Sequence, residues 1–181
     1  MKFLEANLKL AKKLAYEEVS LEDILKRATT DALTGVHNFW EMERRSSKMF
    51  QESATTGLPV SLVMIDLDNL RETNNTRGHA LGDKLLQNFA LFCKANLRTK
   101  QKQDFIGRIG GDEFLIIMNN TPAEKACVVM ARLQIQAERL EVGFSYGIVE
   151  LGDHPTVDSA KVRADDLMNF QKGQRKALVA K

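Results

Sequence analysis

The segment Val60-Ser61-Leu62-Val63-Met64-Ile65 is apolar at nearly every position. An unbroken run of this kind does not suit a strand with one wet face; it predicts a central strand covered on both sides. It runs directly into Asp66-Leu67-Asp68, so carboxylates emerge at the carboxyl end of a buried strand, an edge where ligands commonly gather. A second pair of apolar runs, Phe105 to Ile109 and Phe114 to Met118, flanks Gly110-Gly111-Asp112-Glu113 and predicts a hairpin. Asp112 and Glu113 are then adjacent, exposed carboxylates at a tip whose glycines permit positive φ and leave the backbone open to a bulky anion. The tip suits a divalent metal carrying phosphate. Taken alone, the tip suits a plain turn better, because Gly-Gly and Gly-Asp are ordinary turn chemistry, and other segments must decide.

The remaining chain predicts helices around these strands. One runs from about Phe39 to Ser53, a short turn from Leu70 to Thr76, and a long amphipathic helix from Leu81 to Leu97. Thr121-Pro122 opens another that runs to Arg139; Val142 to Val149 is the last strand, and Val157 to about Lys176 the last helix. This order predicts an α+β fold, a two-layer sandwich in which helices cover a mainly antiparallel sheet. Residues 1–30 form a separate helical segment, and 31–181 the main domain. Within that segment Ser20-Leu21-Glu22-Asp23 has the pattern of a helix start, and Asn7 and Glu17 interrupt an apolar seam. The segment suits either a helix packed on its own domain or one that pairs two chains and relays a signal.

With 181 residues, 44% hydrophobic and 28% charged, the chain can build a packed core without staples. A net charge of only +2 argues against binding nucleic acid through a basic face. No stretch approaches the roughly 20 apolar residues that cross a bilayer, and the opening Met1-Lys2-Phe3-Leu4-Glu5 is unlike a signal peptide. The expectation is a soluble, cytoplasmic protein without membrane insertion. Cys93 and Cys127 lack metal-ligand spacing and are expected to be buried free thiols, and the scattered His37, His79 and His154 give no zinc site.

If the hairpin pairs with the central strand, Asp66 and the tip carboxylates share one end of one sheet and could hold one or two magnesium ions with positions open for phosphate. Lys172 and Lys176, four apart on the last helix, could neutralise outer phosphates. A calcium loop starting at Asp66 fails, because Leu70 and Arg71 stand where an oxygen ligand and glycine are needed.

These segments together resemble the GGDEF domain of diguanylate cyclases. Asp31-Ala32-Leu33-Thr34-Gly35-Val36-His37-Asn38 is similar to that family's opening D-x-L-T-G-x-x-N. Asp66-Leu67-Asp68, with Asn74, Asn75, Gly78-His79 and Gly82-Asp83, resembles its D-x-D…N-D…G-H-x-x-G-D segment. Arg108 to Phe114 resembles R-x-G-G-D-E-F, Ser145 to Ile148 the S-x-G-[IV] strand, and Ala164-Asp165 with Lys172 the closing A-D…K helix. The resemblance covers about Asp31 to Lys176 and implies a fold like nucleotidyl cyclases and polymerase palms. It implies condensation of two GTP into cyclic di-GMP with release of two pyrophosphates, across a homodimer in which each 3′-hydroxyl attacks the partner's α-phosphate. By the same resemblance Asp66, Asp112 and the Leu67 carbonyl would bind Mg2+ or Mn2+, and Glu113 would assist with the metal or the hydroxyl. Lys172, with Lys176, would contact the outer phosphates at a site that includes Gly110, Gly111 and His79. Asn74 and Asp83 would read the guanine edge, since a carboxylate accepts from N1 and N2, a donor pair adenine lacks. An upstream sensor domain or protein would act through the N-terminal helix.

The chain also departs from the pattern. Phe39 replaces an arginine, Leu70-Arg71 replaces Phe-Lys, and Asn75 an acid; Asn169, Gln171 and Lys176 alter the closing helix. The changes in the closing helix support the alternative of a weak or inactive GGDEF module that binds GTP or regulates through contacts. The product-inhibition motif R-x-x-D is degenerate, with Asp104 present and Gln101 in place of arginine, so inhibition there should be weak or absent; Arg98, one turn earlier, could substitute only in part.

Overall fold

The computed structural model describes residues 20–99, 103–139 and 142–179. The parts of the sequence reading that concern residues 1–19 and Gln101 lie outside them. In chain order the elements are α1 (Leu21–Thr29), α2 (Phe39–Thr56), β1 (Val60–Leu67), α3 (Leu70–Arg77), α4 (His79–Asn96), β2 (Asp104–Arg108), β3 (Glu113–Asn119), α5 (Ala123–Glu138), β4 (Phe144–Glu150) and α6 (Val157–Val179), with a 3-10 turn at Leu151–Asp153. Local chemistry sets several of these ends. Ser20 caps α1 by accepting from the Asp23 amide, and Asn38 caps α2 by accepting from the Glu41 amide at 3.0 Å. The Asn38 side chain also donates to the Ala28 carbonyl at 2.8 Å, tying the exit of α1 to the entry of α2.

The four strands form one antiparallel sheet in the order β2-β3-β1-β4. β1 is buried along its whole length, as its apolar run predicts. Its alternate residues feed two cores. Val63, Ile65 and Leu67 face α4 and α5 with Leu86, Phe89, Phe114, Met130 and Leu133; Val60, Leu62 and Met64 face α2 and α6 with Met42, Met49, Ala160, Ala164 and Met168. The sheet is antiparallel and covered by helices, the α+β architecture expected, and the helices lie on both of its faces. An apolar run whose alternate residues are all buried requires cover on both sides, as the sequence of β1 predicts.

Helix α4 begins at His79, two residues before the expected start, because Gly78 turns the chain with φ 84. Cys93 is buried as expected, and burial pushes its thiol pKa up. Cys127 is exposed, contrary to expectation: α5 turns Ala126, Met130 and Leu133 inward and leaves the following residue outside. Among the described residues no helix is long and apolar enough to cross a membrane.

Candidate active site

The register of the sheet gathers the acidic residues. Asp66 pairs with Glu113 on β3 and with Ser145 on β4. The Leu67 amide donates to the Asp112 carbonyl at 3.0 Å, which fastens the hairpin tip to the end of β1. Asp66, Leu67, Asp112 and Glu113 therefore lie at one end of one sheet, the arrangement expected if the hairpin paired with the central strand. The tip differs from a freely exposed turn. Neither Gly110 nor Gly111 adopts positive φ, and both carboxylates are partly buried. A Cβ at position 110 would fall 2.3 Å from Glu113 Oε2, so any side chain there would displace the Glu113 carboxylate.

Arg108 supports the tip from below. Its Nε and Nη2 donate to the Gly111 carbonyl at 3.1 and 2.7 Å, and Nη1 lies 3.5 Å from Asp31 Oδ1. Asp31 in turn accepts from the backbone amide and hydroxyl of Thr34. The first and third of the motifs noted in the sequence are thus parts of one scaffold.

Helix α6 delivers the cation. Lys172 Nζ donates to Asp66 Oδ1 at 2.5 Å, while Asp66 is only 8% exposed. Burial raises the Asp66 pKa, opposed by the Lys172 hydrogen bond and reinforced by the Asp112 charge. Glu113 is raised for the same first reason, burial, and then by the charges of Asp112, Asp165 and Asp66. Carboxylates that destabilise each other's charged forms in this way suit a divalent cation. No group of three or more His, Cys, Asp or Glu side chains forms a metal cage among the described residues. Magnesium fits such a site, since it commonly takes one or two carboxylates and completes its shell with phosphate and water.

Asp68 is employed differently from Asp66. It accepts from Ser145 Oγ at 2.9 Å and lies 3.4 Å from Arg175 Nε, and Arg175 also approaches Glu138 at 3.6 Å. Arg175 is the residue missed from sequence, where Lys176 looked like the second cation; Lys176 is exposed. The packing of α6 explains this. Arg175 comes two turns after buried Met168 and stays near its face, while one further residue rotates outward by about 100°. Gln171, an odd residue in the family pattern, accepts from the Tyr146 amide at 2.7 Å and so occupies the free edge of β4. Asn169 donates to Asp165 at 3.0 Å.

Asn74 lies on α3, and His79 and Asp83 are exposed on α4, the helix that packs beside it. At the opposite end of the sheet Asp104 is 4% exposed and carries a fork from Arg98, with Nη2 to Oδ1 at 2.6 Å and Nε to Oδ2 at 3.0 Å. Arg98 is thus committed to Asp104 and, through Nη2, to the Asn119 carbonyl and Thr121 Oγ1.

A fold of this topology, with paired carboxylates at the β1–β3 end and a lysine reaching them from the last helix, has the layout of a nucleotidyl-transfer domain. The family model "Diguanylate cyclase, GGDEF domain" matches residues 28–177, and the chain belongs to that family. It is 32% identical to the response regulator PleD of Caulobacter vibrioides over 179 residues, covering 92% of this chain and 39% of PleD. It is 34% identical to the probable diguanylate cyclase DgcJ of Escherichia coli over 165 residues, covering 87% of this chain and 31% of DgcJ. The chain therefore spans well under half of these curated relatives. Among solved structures it is similar to a microbial GGDEF domain studied for its interaction with cyclic di-GMP, with TM-score 0.75 and 27% identity over 84% of this chain and 95% of that one. It is also similar to the diguanylate cyclase SiaD of Pseudomonas aeruginosa, crystallised with its activator SiaC, with TM-score 0.75 and 27% identity over 96% of this chain and 69% of that one.

Proposed function

We propose that the chain is a diguanylate cyclase domain: it condenses two GTP into cyclic di-GMP and releases two pyrophosphates. The observation that carries this reading is the junction of Asp66, Asp112 and Glu113 at one sheet end with Lys172 in contact. Mg2+ or Mn2+ held by Asp66, Asp112 and the Leu67 carbonyl would supply charge at the α-phosphate and favour the attacking 3′-hydroxylate. The chain's own groups position the rest. Lys172 is the cation for the outer phosphates, with Lys176 one turn on; Gly110 and Gly111 leave the backbone bare for the triphosphate; Asn74 and Asp83, next to His79, bind the guanine. Glu113, with its raised pKa, is suited to take the proton of the 3′-hydroxyl.

One chain offers one such site, so the two bonds of the product require two copies facing each other. Each 3′-oxygen displaces pyrophosphate from the GTP of the other copy, and closing both bonds gives the cyclic dinucleotide. A signal from an upstream domain or partner would reach the site through α1.

Incubating the purified protein with GTP and magnesium and resolving the products by chromatography tests the proposal. Cyclic di-GMP and pyrophosphate are expected. GTP binding without any dinucleotide would overturn it in favour of a GTP-binding regulatory module, the role to which the altered closing helix points. Asp112→Ala should abolish product with little loss of stability, because the tip is only partly buried. Sedimentation with and without GTP tests pairing; a monomer in both conditions would contradict the dimer.

A further inference from the structure

The Asn74 carboxamide has a buried Oδ1 with no hydrogen-bond donor. Across the α3–α4 contact, a Cβ at position 82 would fall 1.9 Å from that oxygen and 2.9 Å from Asn74 Cγ, with Leu70 Cδ1 next at 3.3 Å. Gly82 is itself buried. The missing side chain of Gly82 is therefore the notch in which the amide oxygen of Asn74 sits. Nδ2 is not among these nearest atoms, so the amide nitrogen is turned away from the notch. The orientation is the favourable one, since a buried carbonyl without a partner is tolerated better than a buried N–H without one.

We propose that Gly82 is a positioning residue for base recognition: by seating Oδ1 it aims the Asn74 Nδ2 protons at an acceptor on the purine edge, beside the accepting carboxylate of Asp83. A donor next to an acceptor matches guanine, which offers O6 beside N1–H and N2–H. It mismatches adenine, which carries an amino donor in place of O6. The inference rests on the GTP-site reading above and adds what holds its specificity in place. The overlap falls on the far end of a flexible side chain, so a methyl at position 82 displaces the amide and leaves the helices in place.

The test is calorimetric titration of GTP and of ATP, each with magnesium, into wild type, Gly82→Ala, Asn74→Ala and the double variant. Wild type should prefer GTP. Gly82→Ala should weaken GTP binding about tenfold, the scale of one lost hydrogen bond, and leave ATP binding unchanged. Asn74→Ala should do the same, and the double variant should bind GTP no more weakly than Asn74→Ala, because no amide remains to be displaced. Unaltered GTP affinity in Gly82→Ala, or additive losses in the double variant, would overturn the positioning role while leaving the GTP site standing. A wild-type protein with no preference for GTP would overturn both. Should Gly82→Ala unfold, the double variant must recover the melting temperature of Asn74→Ala; failure to recover also refutes the proposal.

Discussion

Replacing Arg98 with alanine should destabilise the fold far more than an exposed arginine normally does. Arg98 is 43% exposed, yet its partner Asp104 is only 4% exposed, and the guanidinium forms a two-point fork on that carboxylate. Truncation leaves Asp104 with the Arg98 backbone amide, which donates at 2.8 Å, and removes both side-chain donors. It also strips a donor from the Asn119 carbonyl and from Thr121 Oγ1. Removing one partner of a fully buried pair costs about 3–5 kcal/mol. The retained amide and the half-exposed guanidinium lower this to about 2–3 kcal/mol. For a chain of this length that is a fall in melting temperature of about 4–12 °C. Urea unfolding of Arg98→Ala, Asp104→Asn and the pair gives the measurement. The two single losses should exceed the double loss by about 1–2 kcal/mol of coupling. A loss below about 0.5 kcal/mol for Arg98→Ala, or simple additivity, would refute the claim that Asp104 serves the fold through Arg98. The same pairing gives Asp104 a structural occupation, so its presence is weak evidence for a working product-inhibition site.

Three further outcomes are expected. Phe89 is fully buried with ring centroids 5.0 Å from Phe114 and 5.3 Å from Phe144, so Phe89→Ala should cost about 3–5 kcal/mol in urea unfolding; a cost under about 1 kcal/mol would mean that this core is not packed as described. Arg108→Ala should lower dinucleotide production by ten- to a hundredfold while the melting temperature changes little, since it frees the Gly111 carbonyl at the tip. Equal turnover in Arg108→Ala would show that the tip needs no such support. Asp66 and Glu113 hold their protons more tightly folded than unfolded. Their stabilising contribution is complete below the ordinary values of 3.8 and 4.5 and is lost as pH rises through the raised folded values. Glu113→Gln should therefore gain stability relative to wild type as pH rises from the ordinary carboxylate range toward neutrality; a difference independent of pH would contradict the burial of that carboxyl.

Much of the scaffold was legible from residue order because local and periodic signals agree there. The apolar run from Val60 to Ile65 could only be a doubly covered strand, and Gly110 to Glu113 could only be a tight connection. Ser20 announced its helix through a cap that depends on a neighbour three residues away. Strand ends, the hairpin tip and the spacing on the last helix brought Asp66, Asp112, Glu113 and Lys172 to attention before the family pattern did, and the pairing of β1 with β3 accounts for the convergence of the first three.

What the chain order could not decide were matters of rotation and of space between elements distant in sequence. Whether Lys176 or Arg175 turns inward depends on which face of α6 Ala160, Ala164 and Met168 bury, and a single residue of phase changes the answer. Glycine at position 82 looked like one letter of a motif until α3 and α4 were packed, when the Asn74 amide filled the place of its Cβ. The Arg98 fork on Asp104 needed the end of α4 to meet the start of β2. Periodicity and capping determine which residues form each element; only tertiary packing fixes how far each helix is turned and which side chains then share a space.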